Sequence, residues 1–285
     1  MKTPELLTKG LRILLSWETN HYQIPPIQLS DRQVTLCSRY VHGGDPSFVV
    51  PVKFSGITPT QEPYDLYEFV RNQLGINQEF DLLVTTISGY KLNLPYNIHQ
   101  FNCPTVAIVL DTHYGTSSPI GDLLTYLNLE RYDYICLPYC RQHAHWFYAC
   151  GFDNVGWLPL ITMTTFFHEF VEEREAKAVF IGGDFSFHPY CAQVIENLTK
   201  LSLPIEVRSF DRITSTRVYA NSLIGLNCSL NGDLNLRNLE IISSGGFLLT
   251  DQLSPQSGFT KLLTPKQDCD VYSSIEELIE KLVTI

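Results

Sequence analysis

One polar segment between two apolar runs carries the residues best suited to binding an anion. The turn Asn231–Asp233 opens a predicted helix, Asp233–Ser244, with Asp233 as its N-cap. Arg237 and Glu240 are three residues apart, so they fall on one face of that helix. Helix N-termini offer amides and positive potential to phosphate, arginine pairs bidentately with phosphate, and a carboxylate accepts ribose hydroxyls. The pattern predicts a nucleoside diphosphate site.

Two glycine pairs mark backbone that a ligand can approach closely. Gly245 and Gly246 end the predicted helix, and Gly182 and Gly183 follow the predicted strand Ala178–Ile181. Arginines in the same half of the chain offer further positive charge. The residues predicted to form this nucleotide site, called the donor site below, are Gly182, Gly183, Arg212, Arg217, Asn231, Asp233, Arg237, Glu240, Gly245 and Gly246. The alternative for Arg237 and Glu240 is an i,i+3 ion pair on a solvated helix face.

A second candidate site lies in the N-terminal half. Asp111 and His113 follow the apolar run Thr105–Leu110, where a strand is expected to end. Either side chain can accept a proton from a hydroxyl group, so both are candidate catalytic residues. The alternative is that Asp111 caps a turn and His113 is an ordinary loop residue.

Strands and helices alternate along most of the chain, which predicts parallel sheets covered on both faces. We expect an α/β protein of two Rossmann-like domains with mostly parallel sheets that face each other across a cleft. Residues 1–160 form the predicted N-terminal domain, which contains Asp111 and His113 and is the expected acceptor side. Residues 161–285 form the predicted C-terminal domain, which contains the nucleotide site and is the expected donor side. The last helix, Ile275–Val283, opens with a capping-box spacing and is a candidate to pack back toward the N-terminal domain.

The segment Leu226–Asp251 resembles the C-terminal signature of the spore-maturation (CgeB-like) glycosyltransferases, within the GT-B group. Leu239 and Ser243 replace the Phe and Ala usual in that pattern, and the resemblance extends over roughly residues 80–285. The signature is matched by Leu226, Asn227, Asp233, Leu234, Asn235, Arg237, Glu240, Gly245, Gly246, Leu249, Thr250 and Asp251.

The resemblance implies that Glu240 binds the nucleotide ribose and that Arg237 and the glycines at 245 and 246 lie near the diphosphate. Similar enzymes often carry Arg or Lys shortly after the first strand of the C-terminal domain, whereas Asp184–His188 contains neither. Neutralisation of the diphosphate would then fall to Arg212, Arg217 or Arg237.

Composition narrows the function class. The net charge of −10 opposes broad contact with nucleic acid or an anionic membrane, and no apolar stretch is long enough for a transmembrane helix. The 8 cysteines show no paired spacing, which favours a reducing, cytoplasmic environment. We expect no cofactor beyond the nucleotide-sugar co-substrate and no integral membrane segment.

Two patterns could suggest a metal, and neither is favoured. Asp268-Cys269-Asp270 matches a D-x-D signature but lies in a polar stretch before the last helix. A set of cysteines and histidines suggests zinc, but buried cysteines with surface histidines are preferred. That set is Cys136, Cys140, His143 and His145.

The sequence therefore predicts metal-independent transfer of a sugar from a nucleoside-diphosphate sugar, with UDP or GDP as the nucleotide, to an unknown acceptor hydroxyl. Two alternatives remain: a non-catalytic sugar-nucleotide-binding or partner-docking protein of the same fold, and a nucleotide-sugar epimerase.

Overall fold

The computed structural model describes residues 11–16, 33–37, 52–54, 63–89, 93–113, 118–159, 171–182, 188–210 and 212–283. The chain divides into two compact units. Unit 1 comprises Met1–Pro138 and His143–Leu158, and unit 2 comprises Tyr139–Gln142 and Pro159–Ile285. The sequence-based boundary fell between residues 160 and 161. None of the helices in the described ranges combines the length and apolar character that a membrane span requires.

Unit 1 is built on a sheet of 7 parallel strands in the order β3-β2-β1-β5-β7-β8-β9. The strands are β1 (Arg12–Ser16), β2 (Gln33–Cys37), β3 (Val52–Phe54), β5 (Leu82–Ile87), β7 (Thr105–Val109), β8 (Tyr134–Leu137) and β9 (Val155–Trp157). A short parallel pair, β4 (Tyr64–Asp65) and β6 (Pro95–Tyr96), forms a separate 2-stranded sheet.

Within the described part of unit 1, the α-helices accompany this sheet together with short 3-10 turns such as Ile98–Gln100. The first is α1 (Leu66–Glu68), which continues as a π-helical turn over Phe69–Gln73. The others are α2 (Pro119–Leu129) and α3 (Ala144–Ala149). Asp65 starts α1 because its carboxylate accepts the Glu68 amide at 2.9 Å. The core is made by the inward side chains of strand and helix, among them Leu83, Ala107, Leu123, Leu127 and Phe147.

Unit 2 has a sheet of 5 parallel strands in the order β11-β10-β12-β13-β14. The strands are β10 (Glu175–Ile181), β11 (Ile205–Arg208), β12 (Ser222–Leu226), β13 (Phe247–Asp251) and β14 (Cys269–Tyr272). The helices are α4 (Pro189–Lys200), α5 (Arg212–Asn221), α6 (Leu236–Ser243), α7 (Phe259–Leu262) and α8 (Ile275–Val283). The predicted α/β class with mostly parallel sheets is confirmed.

The last helix belongs to the core of unit 2. Leu278 and Leu282 are buried in the cluster that also holds Leu226 and Leu249, whereas the sequence analysis had allowed α8 to pack toward the N-terminal domain. Its start follows the predicted capping pattern, since Ser274 Oγ accepts the Glu277 amide at 3.2 Å.

The sequence analysis misplaced the start of one helix in unit 2 and missed two elements. The helix expected from Asp233 begins at Leu236, because Asn235 accepts the Asn238 amide and serves as its N-cap. Strand β14 and helix α7 were not predicted, because polar residues interrupt both segments.

In both sheets the chain order reverses beside the first strand. This reversal lies between β1 and β5 in unit 1 and between β10 and β12 in unit 2. Ligands of open parallel sheets bind beyond the carboxyl ends of the strands at such a switch point. Each unit therefore has one position where binding residues are expected.

Candidate functional site

Arg237 lies at the switch point of unit 2. It projects from the first turns of α6, and its Nε donates to the Ile181 carbonyl at the end of β10, at 3.0 Å. Its Nη1 donates to Asn227 Oδ1, just beyond β12, at 3.3 Å. The guanidinium therefore bridges the two strand ends between which the chain order reverses. This is where the fold favours an anionic ligand.

The surroundings of Arg237 leave no room for a larger residue at position 182. The guanidinium carbon lies 4.2 Å from the centroid of the Phe180 ring, so the charge is also held over an aromatic face. A Cβ built on Gly182 would come within 2.8 Å of Phe180 and 3.0 Å of Arg237 Nη2. A side chain at position 182 would therefore displace the Phe180 ring or the guanidinium, and the structure brings the two predicted residues Gly182 and Arg237 together.

Asn227 connects the ends of β12, β13 and β14. Its Nδ2 donates to Thr250 Oγ1 at 2.9 Å, and its carbonyl accepts the Tyr272 hydroxyl at 2.9 Å. Asn227 is fully buried, so these bonds hold its Oδ1 toward Arg237. Strands β12, β13 and β14 are in this way linked to the arginine by side chains that were not predicted as site residues.

The loop between β12 and α6 is held by hydrogen bonds to Asp251, the last residue of β13. Its carboxylate accepts the Ser229 amide at 2.8 Å and the Ser229 hydroxyl at 2.5 Å. Burial raises the pKa of the Asp251 carboxyl, and the hydrogen bonds from Ser229 oppose that rise. This buried anchor fixes the loop that carries Asn231 and Asp233.

The loop offers fewer amides to a phosphate than expected. The Asn231 amide donates to Asp233 Oδ1 at 3.4 Å, and the Gly232 amide donates to Ser229 Oγ at 3.1 Å. Asp233 itself is buried. Two amides of the predicted tip therefore bond within the loop, and the assignment of Asn231 and Asp233 to the donor site stays a prediction.

Glu240 lies one turn beyond Arg237, and both influence the same buried hydroxyl. Burial raises the pKa of Tyr219 far above its ordinary value; Arg237 opposes this rise and Glu240 adds to it. The two charged residues thus share an environment with Tyr219 of α5. The Arg237 guanidinium donates hydrogen bonds to Ile181 and Asn227 at the ends of two strands. It is therefore not placed as the alternative expected, in an i,i+3 ion pair on a solvated helix face.

Gly245 and Gly246 lie at the opposite edge of the sheet from Arg237. They follow the C-terminus of α6 and precede β13, so they are beside the amino ends of the parallel strands. Consistently, the Gly245 carbonyl accepts Arg174 Nη2 at 2.7 Å, immediately before β10. Gly245 has φ +78° and ends the helix. These glycines serve helix termination and close packing, and the geometry does not bring them to a diphosphate beside Arg237.

The remaining predicted donor residues are not joined to this group. Arg217 is exposed on α5. Gly183 and the Arg212 side chain lie outside the described residues, although Arg212 is the first residue of α5.

In unit 1, Asp111 and His113 follow the carboxyl end of β7. The Asp111 carbonyl accepts the Gly89 amide at 2.8 Å, which connects this turn to the residues after β5. Between them, buried Thr112 places its hydroxyl 2.5 Å from Nδ1 of His143. The His113 and His143 rings are in edge contact, with centroids 5.9 Å apart.

His143 was not predicted as part of this group. It precedes α3 and follows β8, the neighbour of β7, and its ring stacks on Trp146 with centroids 4.8 Å apart. The carboxyl ends of adjacent parallel strands meet at one edge, so a polar residue after each strand was a usable signal.

The switch point of unit 1 holds a neutral hydrogen-bond network. Ser16, at the end of β1, bonds to the Tyr64 hydroxyl at 2.7 Å and to Asn93. Asn93 Nδ2 also donates to the Thr86 carbonyl in β5, at 2.9 Å. All of these side chains are buried. They were missed because their spacing in the sequence shows no motif.

Four residues of the two metal-like patterns, namely Asp268, Asp270, Cys136 and His145, make other contacts or are buried. Asp270 pairs with Lys281 at 2.6 Å, and Asp268 accepts the Thr264 amide at 2.8 Å. Cys136 is half-buried on β8, where burial raises its pKa, and exposed His145 contacts Trp146.

Comparison with known proteins identifies a matching family model and structures of similar fold. Residues 166–284 match a family model described as glycosyl transferase-like. No curated protein matches the chain. A glycosyltransferase from Rickettsia africae ESF-5 superposes with a TM-score of 0.60 at 11% identity, over 96% of this chain and 88% of that one.

Two further structures show the same likeness. A sucrose-phosphate synthase from Thermosynechococcus elongatus has a TM-score of 0.58 at 12% identity, covering 96% of this chain and 90% of its own. An alpha-glucosyltransferase in complex with UDP and a 13-mer DNA with a central A:G mismatch has a TM-score of 0.53 at 11% identity, covering 96% and 89%. At such identities the likeness establishes the fold alone. The chain thus has the GT-B fold, and its match to the glycosyl transferase-like family over residues 166–284 supports sugar transfer.

Proposed function

We propose that the protein transfers a hexose or related sugar from a nucleoside-diphosphate sugar to an acceptor hydroxyl, without a metal ion. The observation that carries the proposal is Arg237 at the switch point of unit 2, tied to Ile181 and Asn227. A fixed cation at this position is suited to a diphosphate, because its charge and its donors are already oriented before the ligand binds.

The donor side would use Arg237 for the diphosphate and Glu240 for the ribose hydroxyls. As the bond to the sugar breaks, negative charge grows on the departing diphosphate, and the positioned guanidinium stabilises it. In this mechanism Arg237 supplies the positive charge that a metal ion supplies in other sites. UDP is the first nucleotide to test, because a structural neighbour was captured with it.

The acceptor side would use the turn after β7. Asp111 or His113 accepts the proton of the attacking hydroxyl, and His143 holds the His113 ring by edge contact. One structural neighbour was captured with DNA. The net charge of −10 opposes a polyanionic acceptor, so we propose a neutral hydroxyl compound.

We also propose a family and a cellular location for the protein. Membership of the spore-maturation glycosyltransferases is supported by the motif from Leu226 to Asp251. A cytoplasmic location is supported by the unpaired spacing of the cysteines.

The test is incubation of the protein with labelled UDP-, GDP-, ADP- and TDP-sugars. Release of a nucleoside diphosphate together with a glycosylated acceptor is the expected result. A changed sugar on an intact nucleotide would indicate an epimerase, and binding without turnover would indicate a non-catalytic protein. Either result contradicts the proposal.

Two variants test whether Glu240 belongs to the nucleotide-binding site. Glu240→Ala should weaken nucleoside diphosphate binding by about 1–3 kcal/mol, because ribose hydroxyls lose their acceptor. Glu196→Ala is the matched control, since Glu196 is an exposed carboxylate of the same unit, on α4, 2.6 Å from Lys200. Equal affinity in Glu240→Ala and the parent protein, with both well folded, would remove Glu240 from the site.

A further inference from the structure

Three side chains with metal-binding atoms come together after β7 and β8. They are His113, Cys140 and His143, and one ligand atom of each lies within 4.8 Å of the other two. Because β7 and β8 are neighbouring parallel strands, their carboxyl ends bring His113 close to the turn that holds Cys140 and His143. The set differs from the pattern noted in the sequence, since Cys136 and His145 are outside it and His113 belongs to it.

One turn of chain fixes Cys140 and His143 relative to each other. The chain forms a 3-10 helix at Arg141–His143, directly after Cys140. Side chains three residues apart eclipse in such a turn, so Cys140 and His143 are presented on the same side. Cys140 is fully buried, whereas His113 and His143 are half-buried. The two histidines therefore connect the buried sulfur with solvent.

The ring of His143 is held in place by Thr112 and Trp146. Thr112 Oγ1 lies 2.5 Å from His143 Nδ1, and the ring stacks on Trp146. When Nδ1 donates its proton to this buried hydroxyl, the lone pair of the ring is on Nε2, the form in which histidine binds a metal. Such a hydrogen bond orients metal-binding histidines in proteins. Thiolate and imidazole are ligands that zinc prefers, whereas magnesium prefers oxygen.

We propose that His113, Cys140 and His143 bind Zn²⁺, and that the bound ion inhibits sugar transfer. With Zn–S of about 2.3 Å and Zn–N of about 2.0–2.1 Å, a tetrahedral zinc places its ligand atoms about 3.3–3.6 Å apart. The three atoms lie within 4.8 Å, so they must close by at most about 1.5 Å, which rotation of half-buried rings can supply. The Cys140 thiol releases its proton to solvent as the ion binds.

Inhibition follows from the candidate role of His113 as proton acceptor. A neutral imidazole has a lone pair on one nitrogen and a hydrogen on the other. When His113 gives that lone pair to zinc, its ring can no longer accept the proton of the acceptor hydroxyl. This inhibition rests on the proposed function, whereas zinc binding itself does not.

Metal binding is measured by titrating the reduced, metal-free full chain with Co²⁺, which replaces Zn²⁺ and absorbs visible light. We expect the bands of tetrahedral cobalt and a thiolate-to-cobalt charge-transfer band, both removed by added Zn²⁺. Cys140→Ser should lose the charge-transfer band, and Cys150→Ser should keep it, because Cys150 is an exposed cysteine outside the set. His143→Ala should weaken Co²⁺ binding, with the exposed His145→Ala as its matched control.

Further variants keep the test decisive. Thr112→Val removes the hydroxyl at nearly constant volume and should weaken Co²⁺ binding about 10–100-fold. Circular dichroism checks the fold of each variant, and His143→Ala decides the site where a change at buried Cys140 unfolds the chain. A charge-transfer band that persists in Cys140→Ser and vanishes in Cys150→Ser shows adventitious binding at Cys150 and overturns the site. Absence of cobalt bands in the parent protein overturns it as well.

Inhibition is measured in each variant as the ratio of transfer rates with and without saturating Zn²⁺, with Mg²⁺ as the control ion. The parent protein should lose about 10²–10⁴-fold of its rate, the contribution of a general base, and a chelator should restore it. In Cys140→Ser the ratio should be near one. Zinc that binds without lowering the rate overturns the inhibition. A parent protein with no transfer activity in the absence of zinc contradicts the proposed function, and the cobalt spectrum still decides the metal site.

Discussion

The two switch points of the molecule have the same topology and opposite chemistry. In unit 2 the position is filled by a guanidinium, Arg237, packed on Phe180. In unit 1 it is filled by neutral groups, the hydroxyls of Ser16 and Tyr64 with the Asn93 amide. The shared fold provides the position, and the residue placed there decides whether an anion or a neutral polar ligand is favoured.

The comparison also separates binding from proton transfer. The charged residue of unit 2 is held by backbone and amide acceptors, as expected for a group that must keep its charge fixed. In unit 1, the groups that can exchange a proton lie one strand beyond the neutral network, after β7. Variants in the two regions should therefore change different kinetic parameters.

The largest effect is expected in unit 1. His113→Ala should lower kcat about 10²–10⁴-fold, because a general base would be lost, while UDP affinity stays unchanged. Asp111→Asn in parallel decides which of the two residues is the base. Steady-state kinetics and calorimetry give the two quantities. Loss of UDP affinity in His113→Ala would contradict the assignment of nucleotide binding to unit 2 and proton transfer to unit 1.

The next effect is expected at Arg237. Arg237→Ala should weaken UDP binding by about 1.5–3 kcal/mol, because charge-assisted hydrogen bonds to the diphosphate are lost. Arg237→Lys retains the charge but not the planar fork and should recover only part of the affinity. Calorimetry measures both variants. Full recovery by lysine would show that charge alone matters at this position.

A smaller effect tests the two edges of the unit 2 sheet. Gly245→Ala should lower the free energy of unfolding by about 1–2 kcal/mol, because residue 245 has φ +78°. UDP affinity, corrected for the folded fraction, should be unchanged, because Gly245 lies at the amino edge. Denaturant titration gives the stability. If Gly245→Ala lost UDP binding without losing stability, Gly245 would have to be part of the donor site.

The smallest effect concerns an ion pair remote from Arg237. Lys177 lies 2.6 Å from Glu206, and this hydrogen bond lowers the pKa of the Glu206 carboxyl. A carboxyl with a lowered folded pKa stabilises the fold above its unfolded pKa, and the contribution is lost as pH falls through the folded value. Glu206→Gln should cost about 0.2–1 kcal/mol near neutral pH, since solvent screens the pair, and less in acid. Denaturant titrations across pH measure it; an equal cost at every pH would contradict the assignment.

Sequence patterns predicted most elements of the fold because their signals are local. Apolar runs such as Thr105–Leu110 and Phe247–Thr250 correspond to strands, and the helix Ile275–Val283 has its predicted bounds. The start of α6 was misplaced because Asp233 and Asn235 are both good N-caps, and only the backbone path of the loop selects Asn235. In the donor site, Arg237 and Gly182 are joined by contact, whereas Gly245 and Gly246 proved to lie at the other edge.

The sequence by itself determined the alternation of strands and helices, the polar loop before α6 and the presence of Arg237 on that helix, because each depends on neighbours a few residues apart. Tertiary structure decided which residues share a strand edge. Asn227, Thr250 and Tyr272 meet through hydrogen bonds between separate strands. These hydrogen bonds depend on strand order and register, which spacing along the chain does not encode.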